Sequence, residues 1–365
     1  MKKQFAFFVL VLIAALAVTS CGGARPAPPA ATTSPPAATT APAKARTLTL
    51  ITHDSFAASE EVIAQFEGEN NAILEILKSG DAGAALNQAI LSKGNPLGDV
   101  FFGVDNTFFS RAIDADIFAP YDSPELADIP DSLELDSQHR LNPVDFGDVC
   151  LNYDKAWFEE KGLAPPQNLE DLVRPPYKDL TVVENPATSS PGLSFLIATV
   201  GRFGEDAYLD YWQQLRENGV LVTDGWESAY WGQFSAASDG NRPIVVSYAT
   251  SPAAEVFFSE GQYEEPPTGN VLGDGACFRQ IEFIGILKGA KNQDLAEKFV
   301  DFTLSQTFQE DVPLNMWVFP ANERAGLPDV FRFAEAPPNP AIVAPDNIAK
   351  NREHWIEAWT ETVLR

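Results

Sequence analysis

The chain is poor in the residues that carry out covalent chemistry. Of 365 residues only three are histidine (His53, His139, His354) and three are cysteine (Cys21, Cys150, Cys277). The histidines are scattered, and there is no GxSxG, no HExxH and no Gly-rich phosphate loop. A hydrolytic triad or a zinc site needs its bases, nucleophiles and ligands grouped, so nucleophilic catalysis and metal binding are without support. Positive charge is also scarce, with 25 basic residues against 51 acidic ones and a net charge of −26. That balance argues against nucleic acid or an anionic membrane surface as a partner. It favours cationic or zwitterionic ligands, or else serves solubility alone. After residue 20 no apolar run is long enough to cross a bilayer.

What is present begins with an address. Lys2 and Lys3 precede an apolar run, Phe5 to Ala17, too short for a stable anchor, and Val18-Thr19-Ser20-Cys21-Gly22-Gly23 follows. That last run resembles the lipobox of bacterial lipoproteins, whose cysteine is acylated and becomes the mature N-terminus. Residues 1–20 are therefore expected to be a lipoprotein signal peptide, with Cys21 as the lipidation site. Residues 21–46 are mostly Ala, Pro and Thr without apolar periodicity, and cannot bury enough surface to offset their ordering entropy. They read as an acylated, disordered tether that holds a folded part, from about Thr47, outside the cytoplasmic membrane. In an oxidising compartment Cys150 and Cys277 either pair or remain two isolated buried thiols.

From residue 48 onward short apolar runs alternate with amphipathic ones. Strands are expected at Leu48–Thr52, Ala72–Leu77 and Asp99–Val104, with helices at Glu60–Glu69, Ala84–Ser92 and Phe108–Ile113 between and after them. This βαβαβ rhythm predicts a mostly parallel sheet covered on both faces. Residues 115–142, rich in Asp, Pro and Ser, read as a surface excursion. A second group follows: strands at Phe146–Tyr153, Leu180–Glu184, Val220–Val222, Ile244–Val246 and Cys277–Leu287. Its helices fall at Asp154–Lys161, Asn168–Val173, Ser194–Phe203, Ala207–Asn218 and Leu295–Leu304, with a last one holding Trp355 and Trp359.

Three strand exits lead into helix starts: Ser79-Gly80-Asp81-Ala82-Gly83, Thr188-Ser189-Ser190-Pro191-Gly192 and Ala249-Thr250-Ser251-Pro252. Each offers free amides with a hydroxyl or carboxylate, which either holds an anionic ligand group or caps its own helix. Open α/β sheets place ligand crevices at such exits. Trp226, Tyr230, Trp231, Tyr248 and Trp317 sit in or beside turns, where flat rings suit stacking on a planar or cationic ligand. Trp231, next to Tyr230, is expected to point elsewhere. Asp54, Asp81, Asp105 and Asp145 fall at strand ends, where a cation can be neutralised.

Several stretches, in order from residue 48 to the C-terminus, resemble the thiamine-binding members of the solute-binding proteins that serve ABC importers. They are Thr52-His53-Asp54-Ser55-Phe56-Ala57-Ala58, Gly103-Val104-Asp105-Asn106, Asp145-Phe146-Gly147 with Tyr153-Asp154-Lys155, and Thr188-Ser189-Ser190-Pro191-Gly192-Leu193. The others are Val222-Thr223-Asp224-Gly225-Trp226 with Ala229-Tyr230, Ser247-Tyr248-Ala249-Thr250-Ser251-Pro252 and Asn315-Met316-Trp317-Val318-Phe319-Pro320. The resemblance implies an α/β type II periplasmic-binding-protein fold of two lobes with a ligand cleft and crossing hinge strands. The lobes would be residues 47–145 plus 279–365, and 146–278. They would close on thiamine or its mono- or diphosphate, without a cofactor or a catalytic residue, and present it to a permease and its ATPase, most simply as a monomer.

Carried over by position, Asp81, Ala82, Ser189, Ser190, Trp226, Tyr248, Ala249, Thr250 and Ser251 fall at ligand contacts, with Trp317 as a further aromatic wall. Asp54 and Tyr230 join them on chemical grounds. Two positions depart from the pattern: Ala82 stands where the family has glycine, and His53 where tyrosine is frequent. Two other readings remain: a binder of another organic cation such as a polyamine, or a secreted thiamine-degrading enzyme using Cys150 or Cys277. Ferric binding lacks its adjacent tyrosine pair.

Overall fold

The computed structural model describes residues 44–365. The signal peptide, Cys21 and nearly all of the tether lie outside the described residues. The first strand, β1 (Arg46–Thr52), starts one residue before Thr47; in it Arg46 pairs in register with Ala72 and grips both carboxylate oxygens of Asp294 at 2.8 Å.

The chain continues through α1 (Glu60–Asn70), β2 (Ala72–Lys78), α2 (Ala82–Leu91), β3 (Val100–Asp105), α3 (Phe109–Asp114), β4 (Phe118–Ala119) and β5 (Asn142–Asp154). Next come α4 (Lys155–Lys161), β6 (Thr181–Glu184), α5 (Ser190–Phe203), α6 (Tyr208–Glu217), β7 (Leu221–Thr223), α7 (Trp226–Tyr230), β8 (Ile244–Tyr248) and α8 (Ser251–Phe258). The last elements are β9 (Thr268–Val271), β10 (Phe278–Leu287), α9 (Gln293–Leu304), α10 (Gln306–Asn315), β11 (Phe319–Pro320) and α11 (Pro345–Val363).

All strands belong to one sheet, with the order β2-β1-β3-β10-β5-β8-β6-β7. β1, β2 and β3 are parallel to one another, and so are β6, β7 and β8. β3, between β1 and β10, has all six residues buried and is free of polar side chains until Asp105 at its end, whereas β2 at the sheet's edge is largely unburied. Between the two parallel groups run β10 and β5, antiparallel to each other and to their outer neighbours. β5 is 13 residues long: its first half pairs with β10 and β11, and its second half with β8 and β9. These two strands are the crossing connections between the groups. A disulfide joins Cys150 on β5 to Cys277 at the entrance of β10, buried together with Ala249, so the paired alternative is the one realised.

The stretch 115–142 is not a surface excursion. It sends Ile117, Phe118, Leu126, Ile129 and Leu133 into the core, and β4 pairs with β10. Asn168–Val173 is not an α-helix but holds a single 3-10 turn, Leu169–Asp171, followed by a second at Pro175–Tyr177, because the prolines at 175 and 176 cannot donate the bonds a longer helix needs. The last helix touches both groups: Trp359 packs edge-on against Trp212 of α6 at 5.5 Å, and the Arg352 guanidinium lies 5.4 Å from the Phe108 ring.

Candidate functional site

The exits of β2, β6, β7 and β8 turn toward one another around a cavity of about 840 Å³. Ten of the sequence-predicted site residues line it: Asp54, Asp81, Ala82, Ser190, Trp226, Tyr230, Tyr248, Thr250, Ser251 and Trp317. Ser189 and Ala249 do not. The Ser189 hydroxyl accepts from the Gly192 amide and caps α5, while the Ala249 side chain packs on the disulfide. Ser251 also departs from expectation: its hydroxyl does not cap α8 but shares a 2.9 Å hydrogen bond with Ser247.

One wall is aromatic. Trp226 stacks on Tyr230 with ring centroids 4.9 Å apart and planes 22° from parallel. Trp231 does not point away; it stands edge-on to both rings, half-exposed at the rim. The Trp226 indole N–H donates to Ser247 Oγ at 2.8 Å, which fixes the ring's rotation. Opposite, Tyr248 donates to Gln280 at 2.8 Å. Trp317 adopts a left-handed backbone (φ 59°), its carbonyl accepts from the Thr250 hydroxyl, and its ring stacks on Phe331. A bulky residue at positive φ is strained, and such strain persists only where surrounding contacts hold it.

The charged side chains of the lining are almost all acidic. Asp54, Asp81, Asp224, Glu227, Glu255 and Glu282 face the cavity, and no lysine or arginine does. Tyr230 donates to Glu255 at 2.5 Å, and burial raises the Glu255 carboxyl to about 7 against that bond's opposing pull. Glu282 lies 3.3 Å from His53 Nε2. Burial works against the imidazolium, but the Glu282 charge prevails and the His53 pKa lies above its ordinary value. The register of β10 shifts on both sides of Phe283, beside Glu282, a bulge of the kind that re-aims side chains next to binding sites. Across the strand pair Asp145 opposes Glu282; burial and that neighbouring charge push its carboxyl well above the carboxylate range. Asp105 also lies behind the lining. It accepts from the Ser190 and Thr107 hydroxyls, and burial raises it to about 6.

Asp81 begins α2 and accepts from three amides: its neighbour Ala82 at 2.7 Å, Ser190 at 3.2 Å and Trp226 at 3.0 Å. The last two belong to the opposite parallel group. Gly225 permits this approach, since a Cβ there would sit 2.8 Å from Asp81 Oδ2.

Sequence reasoning did not single out Glu282, Glu255, Gln280 or Glu227. A signal existed for Glu282, a charge inside the apolar run Phe278–Leu287, because carboxylates are rarely buried without a partner or a task. Among the described residues no helix is long and apolar enough to cross a membrane, and no three His, Cys, Asp or Glu side chains are grouped to hold a metal ion.

Residues 95–349 match the family described as bacterial extracellular solute-binding protein. The chain belongs to that family. Among this solute-binding protein's relatives is the thiamine-binding periplasmic protein of Salmonella typhimurium, 31% identical over 87% of this chain and 94% of that one. Its Escherichia coli counterpart is 30% identical over the same shares. A solved periplasmic thiamin binding protein superposes with a TM-score of 0.78 at 28% identity, covering 88% of this chain and 97% of that one. A ferric binding protein from Campylobacter jejuni, at 18% identity and a TM-score of 0.68 over 86% and 99% of the two chains, shares the fold alone. The two parallel groups and their crossing strands are thus those of a type II periplasmic binding protein, the substrate-binding component of an ABC importer.

Proposed function

We propose that the solute is thiamine, captured in the cavity between residues 47–145 plus 279–365 and residues 146–278 and handed to an ABC permease and its ATPase. The observation that carries this reading is an aromatic stack facing six carboxylates with no lysine or arginine in the lining. Thiamine's cationic thiazolium is attracted by ring faces and carboxylates, at about 0.5–2 kcal/mol per cation–π contact. Its aminopyrimidine is flat and bears hydrogen-bonding edges that suit Trp226, Tyr248, Trp317 and the Ser247–Ser251 pair. The cavity volume is that of a small-molecule site. In this reading Cys21 carries the lipid, the protein acts as a monomer outside the cytoplasmic membrane, and it catalyses nothing. Both remaining cysteines are buried in a disulfide, which tells against the thiamine-degrading alternative, since the nucleophile there is a thiolate.

The test is a tryptophan-fluorescence titration of the full-length protein with thiamine, with spermidine as competitor. Saturable quenching that is lost in Trp226→Ala and untouched by spermidine is the expected result. No response to thiamine, or displacement by spermidine at equal concentration, would overturn it.

A further inference from the structure

We propose that Asp145 is a positioning residue: it acts as a neutral acid whose O–H donates to the Glu282 carboxylate, fixing that group in the cavity lining where it meets the ligand's cation. The last clause rests on the thiamine reading of the cavity. The pairing itself does not.

β10 runs between β3 and β5, and at one level of the sheet Glu282 is paired with Asp105 on one side and with Asp145 on the other. Residues directly opposite in a ladder share a face, so three carboxyl groups stand in a row across adjacent strands. All three are buried. Their surroundings differ. Asp105 accepts from the Thr107 amide and hydroxyl, the Phe108 amide and the Ser190 hydroxyl. Glu282 lines the cavity and has His53 Nε2 at 3.3 Å. Asp145 has no such support: among the described residues no donor reaches either of its oxygens, and its polar neighbour is Glu282. Two carboxylates are both acceptors and cannot bond to each other. One proton turns the contact into a bond. Burial and the Glu282 charge both hold the Asp145 carboxyl well above the carboxylate range, so Asp145 is the group that keeps it.

The groups that face the pair offer Asp145 no cation. His53, from the exit of β1, lies against Glu282 and also feels Asp81 and Lys78. Tyr248 on β8 donates to Gln280 and stays a phenol, held so by burial and the surrounding carboxylates. Arg279 on β10 is committed to Asp148 through two bonds, at 3.0 and 2.8 Å. β11 brings only Phe319 and Pro320 alongside, and neither α5 nor α9, packed on the crossing strands, buries a charged side chain. Glu282 is thus held from two sides, by the Asp145 O–H and the His53 ring. An anion in place of Asp145 would repel it and pull His53 more strongly toward its charged form.

The experiment uses the three histidines, few enough for their ring signals to be followed one by one by NMR. They are titrated against pH in the full-length native protein, in Asp145→Asn and in Glu282→Gln. Thiamine affinity is measured by isothermal titration for the same chains and for Asp145→Ala. An asparagine amide donates without carrying charge, so Asp145→Asn should leave the His53 midpoint where it is, whereas Glu282→Gln should lower it. Asp145→Asn should bind thiamine within about twofold of the native chain, while Asp145→Ala, which leaves Glu282 without its donor, should bind about tenfold more weakly. Circular dichroism establishes that each variant is folded, and should Asp145→Ala fail there, Asp145→Asn decides alone. A His53 midpoint that falls in Asp145→Asn as it does in Glu282→Gln would mean that Asp145 carries a charge, and would overturn the proposal. So would Asp145→Asn binding about tenfold more weakly than the native chain, or a folded Asp145→Ala binding as tightly as it. Failure of thiamine to bind the native chain would remove the solute reading and the positioning role with it, and the His53 midpoints would still decide whether Asp145 is neutral.

Discussion

Loss of the Cys150–Cys277 bond should lower stability by an amount the topology sets. The two cysteines are 127 positions apart, and the loop they close contains β6, β7, β8 and β9 with their helices. Cross-linking a loop of that length removes about 5 kcal/mol of chain entropy, expressed as free energy, from the unfolded ensemble. A fold of about 320 residues unfolds with an entropy near 0.7 kcal/mol per kelvin, so the same quantity corresponds to a fall in Tm of about 7 °C. The assay is a pair of thermal melts followed by circular dichroism, one on oxidised protein and one on protein reduced in urea and refolded with reductant present. Cys150→Ala/Cys277→Ala provides the genetic counterpart. Both sulfurs pack in a small cluster with Ala249 and Leu272, so the double variant should lose slightly more than the reduced protein, through lost contact. Oxidised and reduced melts coinciding within about 2 °C would refute the reasoning, because loop closure of this length cannot be that weak unless the unfolded chain is already constrained there.

Four further outcomes follow from the site and its supports. With the Glu255 carboxyl at about 7 and a cationic ligand favouring its charged form, affinity for thiamine should rise about tenfold from pH 6 to pH 8; Glu255→Gln should flatten the profile, and a flat profile in the native chain would remove Glu255 from the site. In the unliganded protein the sign reverses: a carboxyl that keeps its proton longer folded than unfolded contributes stability that is lost as pH rises from about 4.5 to about 7, which urea midpoints across that range would register. Gly225→Ala places a methyl against Asp81 Oδ2 and should weaken thiamine binding by about tenfold while shifting Tm by less than about 2 °C, measured by titration and melt together. Gly103→Ala combines a left-handed backbone (φ 101°) with a clash against the His53 ring and should cost about 3 kcal/mol in urea unfolding; a cost below about 1 kcal/mol would mean that β3 and His53 yield more easily than their burial suggests.

Much of the architecture was legible because period and composition agree locally. β1, β2, β3 and β10 are apolar runs bounded by turn residues, and the strand exits at Asp81 and Ser189 carry helix-start chemistry that the folded chain uses as caps. The misses have local causes. α10 contains Pro313, which breaks a helical pattern on paper; it cannot donate to the Gln309 carbonyl one turn back, and the helix ends two residues later. β5 begins at Asn142 rather than Phe146, because Pro143 and Asp145 read as turn residues until β10 lies alongside them. β9 is short, follows two prolines and contains a glycine, so only its pairing with β5 reveals it. Of the acidic part of the cavity Asp54 and Asp81 were legible at strand ends, while Glu227, Glu255 and Glu282 were missed for a different reason. His53, Asp145 and Glu282 meet only when three distant strands assemble, and no spacing in the chain encodes that encounter. The aromatic half was visible because Trp226, Tyr230 and Trp231 lie within six positions of one another.

The hydrogen-bonded ladder runs without interruption from β2 to β7, through both crossing strands. A spreading of the two halves that kept this ladder paired would load β5 and β10 in twist, in the way a torsion bar shares its load over its whole length. The restoring stiffness belongs to the sheet. The catch that holds the bar wound is a separate part: the Asp81 carboxylate on the Ser190 and Trp226 amides, the Ser190 hydroxyl on Asp105, and the Ala84 amide on the Thr188 carbonyl. Spring and catch share only Asp105, the last residue of β3 and the partner of Glu282 on β10, so the rest of the catch can be retuned by substitution without rebuilding the spring.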